Sequence, residues 1–347
     1  MGILLIWHCH LLTVHLYIDR HYQDEYVSKD GFADDDKVNR DRSGFFRFLY
    51  GRLSKRLLEH SNVVDIRVVT AERNQDYLIQ VVTSVLAAYH GNDSRIYPRI
   101  ELCNVESYLF DELRQFEGTL PIRSINAPTT DLMNTKSSLH DQIFMKEAMD
   151  YWKCLNISTE SRYVLLLEDD AVVIPMFATL LTSLIEKLDK QTHIDYVKLF
   201  HPNSLRGIPS IPMAVAVCFM ICAACQMFVF RRILVLWLVL TSSAMYLVLR
   251  SYGSQFLADI RYHLTGSIYL TFSESCCTQA VLFRSSKIPE IAYQLSLEAR
   301  HTARAGHAKD HILDESKFLG RQTDKNFVLH IGHISLVHGM HINQKQS

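Results

Sequence analysis

Two long uncharged apolar stretches in the middle of the chain restrict its fold more than any other feature. Ile208 to Phe230 carries no charged side chain, Arg231-Arg232 interrupts, and Ile233 to Leu249 is again uncharged before Arg250. Each arm comes close to the ~20 apolar residues a helix needs to cross the hydrocarbon of a bilayer. Neither arm has the one-sided period of a helix packed on a soluble core. The pattern predicts a transmembrane helical hairpin over 208–250, held by membrane lipid, with a two-arginine tip. Basic residues prefer the cytosolic side, so everything before Ile208 and after Arg250 is expected in the lumen.

Other signals agree with that topology. Gly2 to Ile18 is apolar apart from His8, His10, Thr13 and His15, and residues 1–18 read as a signal anchor, with a cleaved signal or an incomplete or alternative start as the alternatives. Asn92-Asp93-Ser94 and Asn156-Ile157-Ser158 are glycosylation sequons, usable only in the secretory path. Cys103, Cys154, Cys276 and Cys277 are able to make two disulfides there, in any of three pairings. Cys218, Cys222 and Cys225 lie inside the first apolar arm and read as packing residues. A formal net charge of −1, with no basic patch interleaved with aromatics, argues against a nucleic-acid partner.

On either side of the hairpin, strand-like and helix-like segments alternate. Residues 19–60 form a polar stem, with Asp34-Asp35-Asp36 as a solvated loop and Phe45 to Glu59 as an amphipathic helix on the membrane surface or on the domain. The first part of the domain, 61–207, has strands at Asn62–Thr70, Arg99–Asn104, Pro121–Ile125 and Asp195–Phe200. Helices are expected at Gln75–Tyr89, Ser137–Leu155 and Pro175–Lys190. The second part, 251–347, has strands at Gly266–Phe272, Thr278–Phe283 and Asn326–Ile331. Its helices are expected at Pro289–Ala305 and, with an acidic N-cap, at Asp310–Leu319. This alternation predicts an α/β fold, a Rossmann-like sandwich around a largely parallel sheet, interrupted by the hairpin.

The chemistry concentrates in Tyr163-Val164-Leu165-Leu166-Leu167-Glu168-Asp169-Asp170, an apolar strand that runs into three carboxylates. Ligands gather at the carboxyl ends of such strands, and crowded carboxylates need a cation or donors to stay ionised. Hard oxygen ligands suit Mg²⁺ or Mn²⁺, whose remaining positions are commonly filled by substrate phosphates. Thr70 ends the first strand and Arg73 and Asn74 follow it, where nucleotides are often contacted. Asp310, at a helix start, is a carboxylate suited to accept a proton. His330 and His333 offer imidazoles to a metal.

A strand ending in Glu-Asp-Asp resembles the metal motif of type A glycosyltransferase folds. A membrane hairpin splitting such a domain resembles one family, the post-GPI-attachment-to-proteins factor 4 group of Golgi transferases. The matching pieces are Leu165 to Ala171, Val197-Lys198-Leu199-Phe200-His201-Pro202, the hairpin, Cys276 to Phe283, Ala308-Lys309-Asp310 and His330-Ile331-Gly332. The resemblance implies inverting transfer of N-acetylgalactosamine from UDP-GalNAc, with Mn²⁺ or Mg²⁺, to the first mannose of the glycan on GPI-anchored glycoproteins. It implies that Asp170 and His330 hold the metal, that Glu168 and Asp169 serve the donor and the metal's surroundings, that Thr70 and Arg73 touch the uridine, and that Asp310 is the general base. It implies a multi-pass Golgi protein with a lumenal catalytic domain. The rival readings are a type A transferase with another donor or acceptor, such as an N-glycan N-acetylglucosaminyltransferase, and a non-catalytic protein that binds glycolipid through the hairpin.

Overall fold

A computed structural model describes residues 44–54, 62–73, 77–90, 95–125, 139–201, 211–230, 235–273, 277–304 and 306–331. The expected signal anchor, most of the stem, the sequon at Asn92, the Arg231-Arg232 tip, Asn74, Cys276 and His333 lie outside the described residues. The chain divides into two compact units. One holds residues 39–202 and 261–347, and the other includes 203–260.

In the larger unit, α1 spans residues 44–54 and buries Phe46, Leu49 and Leu53, one face of a helix, in the main apolar core. Of the two placements expected for this helix, the structure places it on the domain. Then come β1 (Val64–Thr70), α2 (Tyr77–Tyr89), β2 (Arg99–Asn104), α3 (Asp111–Arg114), β3 (Ile122–Ser124) and α4 (Leu139–Leu155). The acidic strand is β4 (Tyr163–Glu168), followed by β5 (Ala171–Val173), α5 (Phe177–Lys190) and β6 (Tyr196–Lys198).

The smaller unit contains α6 (Ile211–Phe230) and most of α7 (Val235–Thr265). Helix α7 continues well past Arg250, the residue at which the apolar run stops. Among the described residues, no helix is long and apolar enough to cross a membrane. The larger unit resumes with β7 (Leu270–Phe272), β8 (Ala280–Arg284), α8 (Ile288–Thr302), α9 (Lys309–Asp314), β9 (Gly320–Thr323) and β10 (Val328–His330).

Eight strands form one sheet in the order β3-β2-β1-β4-β8-β6-β9-β7, and β10 pairs with β5 in a separate ribbon. From β3 to β4 the sheet is parallel, as expected, and β6 is parallel to β9. Strand β8 instead runs antiparallel to both β4 and β6, and β7 antiparallel to β9, so the sheet is mixed. Parallel neighbours need a crossover helix between consecutive strands, whereas a strand returning from a long insertion has no such constraint.

Alternate residues of the central strands face opposite layers. Ile66, Val68, Leu165, Leu167 and Leu282 join one core with residues of α2 and α5, while Val164, Leu166, Val281 and Phe283 join a second with α4 and α8. Helices therefore cover both faces, which explains why β4 is an unbroken apolar run. Charged groups are built into this interior, among them Asp65, Glu101 and Lys198. Arg67 of β1 is fully buried and donates to the carbonyls of Cys154 and Leu155 at 3.0 and 2.7 Å, the last turn of α4. The same turn is tied to β2 by a disulfide between Cys103 and Cys154, and Cys277 is disulfide-bonded as well. Cys218, Cys222 and Cys225 are free thiols.

Candidate active site

The carboxyl ends of β1 and β4 lie side by side, because Val69 pairs with Glu168 in register. Strand β4 ends in a tight turn at Asp169 and Asp170, so the two carboxylates follow directly on the carboxyl end of a buried strand. Both residues are nonetheless almost wholly buried, at 2% and 3% exposure. Their charge is met by the end of β1. The Thr70 hydroxyl and the Ala71 amide donate to Asp169 Oδ2 at 3.2 and 3.1 Å, and the Arg73 guanidinium reaches Asp169 Oδ1 at 3.0 Å and Asp170 Oδ2 at 2.6 Å.

The other side of Asp170 is closed by the C-terminal ribbon. Strand β10 runs antiparallel to β5 with His330 opposite Ala171, and the Ile331 amide donates to the Asp170 carbonyl at 2.9 Å. This register brings His330 Nε2 to 3.4 Å from Asp170 Oδ2, with the ring of Phe200 beside the imidazole. Burial alone would lower the His330 pKa, but hydrogen bonding and charge from Asp170 outweigh it and the net shift is upward. Asp170 moves the opposite way. Burial opposes its ionisation, yet Arg73 and His330 together hold its carboxyl well below the usual range. For Asp169 burial dominates the pull of Arg73, and the shift is upward.

Glu168 faces a second set of groups. Its Oε1 accepts from the Thr278 hydroxyl at 3.1 Å and from Lys309 Nζ at 3.1 Å. Lys309 also contacts Glu147 and lies 5.2 Å from the ring centre of Tyr151, whose hydroxyl donates to the Thr278 carbonyl at 3.0 Å. The end of β4, the approach to β8, α4 and the start of α9 are thus joined by one polar network.

Asp310 adjoins that network through its neighbour Lys309. Helix α9 begins at Lys309 with Ala308 as its N-cap, so Asp310 is the second helical residue and not the acidic cap expected from sequence, and the helix stops at Asp314 instead of Leu319. Ala308 has extended backbone angles and no capping side chain, and the free amides of the first turn still favour an anion. The Asp310 carboxylate accepts from the Cys277 amide at 3.3 Å and pairs with His311 Nδ1 at 3.1 Å. Burial would raise its pKa, but His311 and these backbone donors outweigh burial and keep it below the ordinary carboxylate range. The far end of α9 is held equally firmly, since Asp314 meets the fully buried Lys198 of β6 at 2.5 Å.

The structure therefore gathers Thr70, Arg73, Asp169, Asp170 and His330 into one cluster. It places Glu168 at that cluster's edge, and Asp310 one residue from the Lys309 that contacts Glu168. Arg73, expected on a uridine, has both of its terminal nitrogens on the acidic pair. Sequence reasoning did not give Lys309, Glu147, Tyr151 or Thr278 a role. Lys309, adjacent to the candidate base, and Thr278, inside the Cys276–Phe283 piece, carried a readable signal.

Among the described residues, no group of three His, Cys, Asp or Glu side chains is placed to hold a metal ion by itself. The donors present still fit a divalent cation that shares its shell with a substrate. Among the described residues, none is a hydrogen-bond partner for the buried Asp170 Oδ1, and an imidazole lies beside the same carboxylate. A hard oxygen and one nitrogen suit Mn²⁺ or Mg²⁺ completed by phosphate oxygens.

Compared with models of protein families, the chain matches the one described as GPI-N-acetylgalactosamine transferase PGAP4 over residues 64–330. Every candidate residue from Thr70 to His330 falls inside the match. Comparison with curated proteins gives no match.

Proposed function

This chain belongs to the GPI-N-acetylgalactosamine transferase PGAP4 family, and from that premise we propose that it moves N-acetylgalactosamine from UDP-GalNAc to the first mannose of the GPI-anchor glycan, with inversion. The acceptors are GPI-anchored glycoproteins, and the site of action is the Golgi lumen. The observation that carries the reading is the meeting of His330 with Asp170 at the mouth of the sheet, beside Thr70 and Arg73 at the end of the first strand.

Asp170 and His330 are the residues that would hold Mn²⁺ or Mg²⁺, which supplies positive charge against the departing diphosphate. Thr70 and Arg73 border the uridine and diphosphate, with Asp169 fixing both, and Glu168 positions the donor sugar while Lys309 and Thr278 fix its carboxylate. Asp310 accepts the proton of the acceptor hydroxyl as that oxygen attacks the anomeric carbon. The new glycosidic bond forms on one face while the bond to the diphosphate breaks on the other. A base held ionised by His311 and two backbone amides suits this role at neutral pH.

The same reading makes residues 208–250 a membrane hairpin, which takes in α6 and the apolar first part of α7. Its support is in the sequence, where Ile208 to Phe230 and Ile233 to Leu249 carry no charged side chain. Large apolar side chains also face outward on both helices, with Met220 62%, Met227 53%, Trp237 59% and Leu240 52% exposed. An acceptor anchored in the lumenal leaflet is best met by an active site tethered at that surface. The test is expression in cells lacking the GPI side-chain transferase. Wild type restores N-acetylhexosamine on released GPI proteins and Asp170→Ala does not; glycans unchanged by wild type would sink the assignment. Alkaline carbonate extraction checks the hairpin separately, because release of the chain into the supernatant contradicts a membrane span.

A further inference from the structure

Arg73 is placed differently from a residue that waits for a nucleotide. Its guanidinium bridges two neighbouring carboxylates at 2.6 and 3.0 Å, and only 18% of its side chain is exposed. It occupies Asp170 Oδ2, the oxygen that His330 also approaches, and so leaves the buried Oδ1 as the carboxylate atom without a hydrogen-bond partner among the described residues. Glu168, the third carboxylate, is countered separately by Lys309. Counted by contacts, the acidic triplet faces two built-in cations, and the cluster of Asp169, Asp170 and Arg73 keeps a single net negative charge.

A divalent ion alone gains little from such a site, because its attraction to two carboxylates is offset by repulsion from a guanidinium in contact with the same atoms. A divalent ion that arrives with a diphosphate is different, because the phosphate oxygens answer both the metal and Arg73. Resting on the function proposed above, we infer that Arg73 is a resident counter-cation that makes the site selective for a metal–nucleoside diphosphate complex over free metal. Arg73 then holds the acidic pair together before the donor enters, and bridges that pair and the diphosphate once it has.

Mn²⁺ electron paramagnetic resonance of the full-length protein in detergent tests this, since bound Mn²⁺ loses the sharp signal of the free ion. Titrations are run with Mn²⁺ alone and with Mn²⁺ plus UDP on wild type, Arg73→Gln and Arg73→Lys. Wild type should take up Mn²⁺ at least about tenfold more tightly with UDP than without, and Arg73→Gln should shrink that ratio by tightening the binding of Mn²⁺ alone. Arg73→Lys keeps the charge and should retain most of the ratio, which separates charge from shape. Equal Mn²⁺ affinity with and without UDP in wild type, or an unchanged ratio in Arg73→Gln, overturns the inference and leaves the metal site standing. If wild type takes up no Mn²⁺ under either condition, the metal site itself is wrong and the inference falls with it.

Discussion

Replacing Lys309 by methionine removes one ammonium and keeps most of the side chain's volume. That ammonium lies 3.1 Å from Glu168 Oε1, in contact with Glu147, and 5.2 Å from the ring centre of Tyr151. The Lys309 side chain is 10% exposed, Glu168 14% and Glu147 36%. Removing one partner of a buried pair typically costs about 3–5 kcal/mol, because the other charge stays behind in a poor solvent. Glu147 is open enough to regain much of its hydration, so the loss rests mainly on Glu168 and comes to about 2–3 kcal/mol. In a domain of this size that lowers Tm by roughly 4–12 °C. Thermal unfolding of the purified full-length chain reads the shift, with Glu168→Gln and the Lys309→Met/Glu168→Gln double variant completing a cycle. The double variant should lose less than the sum of the single losses by at least about 1 kcal/mol. A Lys309→Met protein melting within about 1 °C of wild type, or strictly additive losses, would refute the claim that this lysine neutralises the acidic motif.

Three other perturbations follow. Cys103→Ser opens a bridge between residues 51 apart, for which loop-closure entropy gives a loss of about 4 kcal/mol, read as a lower Tm under non-reducing conditions; a Tm equal to wild type contradicts it. Asp310 has a folded pKa below its unfolded value, so its stabilisation is present above the ordinary carboxylate range near ~3.9 and is lost as pH falls through the depressed value. Asp310→Asn should therefore abolish transfer, and the wild-type rate should show no acidic limb from this residue between about pH 5 and 8; an acid limb centred near pH 6 that Asp310→Asn removes argues against the assignment. Gly320→Ala puts a Cβ 2.2 Å from the ring of Tyr196, a buried residue of β6 with its hydroxyl near Asp314, so a loss of about 1–3 kcal/mol is expected and Tyr196→Leu in the same chain should recover part of it.

The residues that announced themselves in the sequence are those whose burial pattern is continuous. Tyr163–Glu168 and Val64–Thr70 are long, apolar and covered on both faces, and they were readable as strands within a residue or two. Ala171–Val173 and Gly320–Thr323 were not, because the first is three residues ending a run already assigned and the second, Gly-Arg-Gln-Thr, has almost no apolar content. Strand β9 forms because β6 and β7 supply pairing on both sides, which is tertiary context overriding local preference. Glu315 to Leu319 continues a helical composition beyond α9, yet the helix stops at Asp314 because the chain turns at Glu315 to enter β9. The acidic triplet and His330 could be named from sequence, but the double engagement of Arg73 could not. It depends on the register between β1 and β4, which no local pattern encodes.

The order of strands has a consequence for biogenesis. Strand β4, with the acidic tip, pairs with β8 along one edge, and β8 and β9 are synthesised only after α6 and α7. Until then the nascent β4 shows a row of unpaired backbone groups on an apolar ribbon, the kind of edge that other chains add to. The sheet cannot be completed before the helical insertion has emerged, so delay at that insertion leaves the most aggregation-prone strand uncovered for longest. Defects in the helical pair should therefore register first as retention and turnover of the newly made chain by the folding machinery, before any loss of specific activity in the molecules that mature.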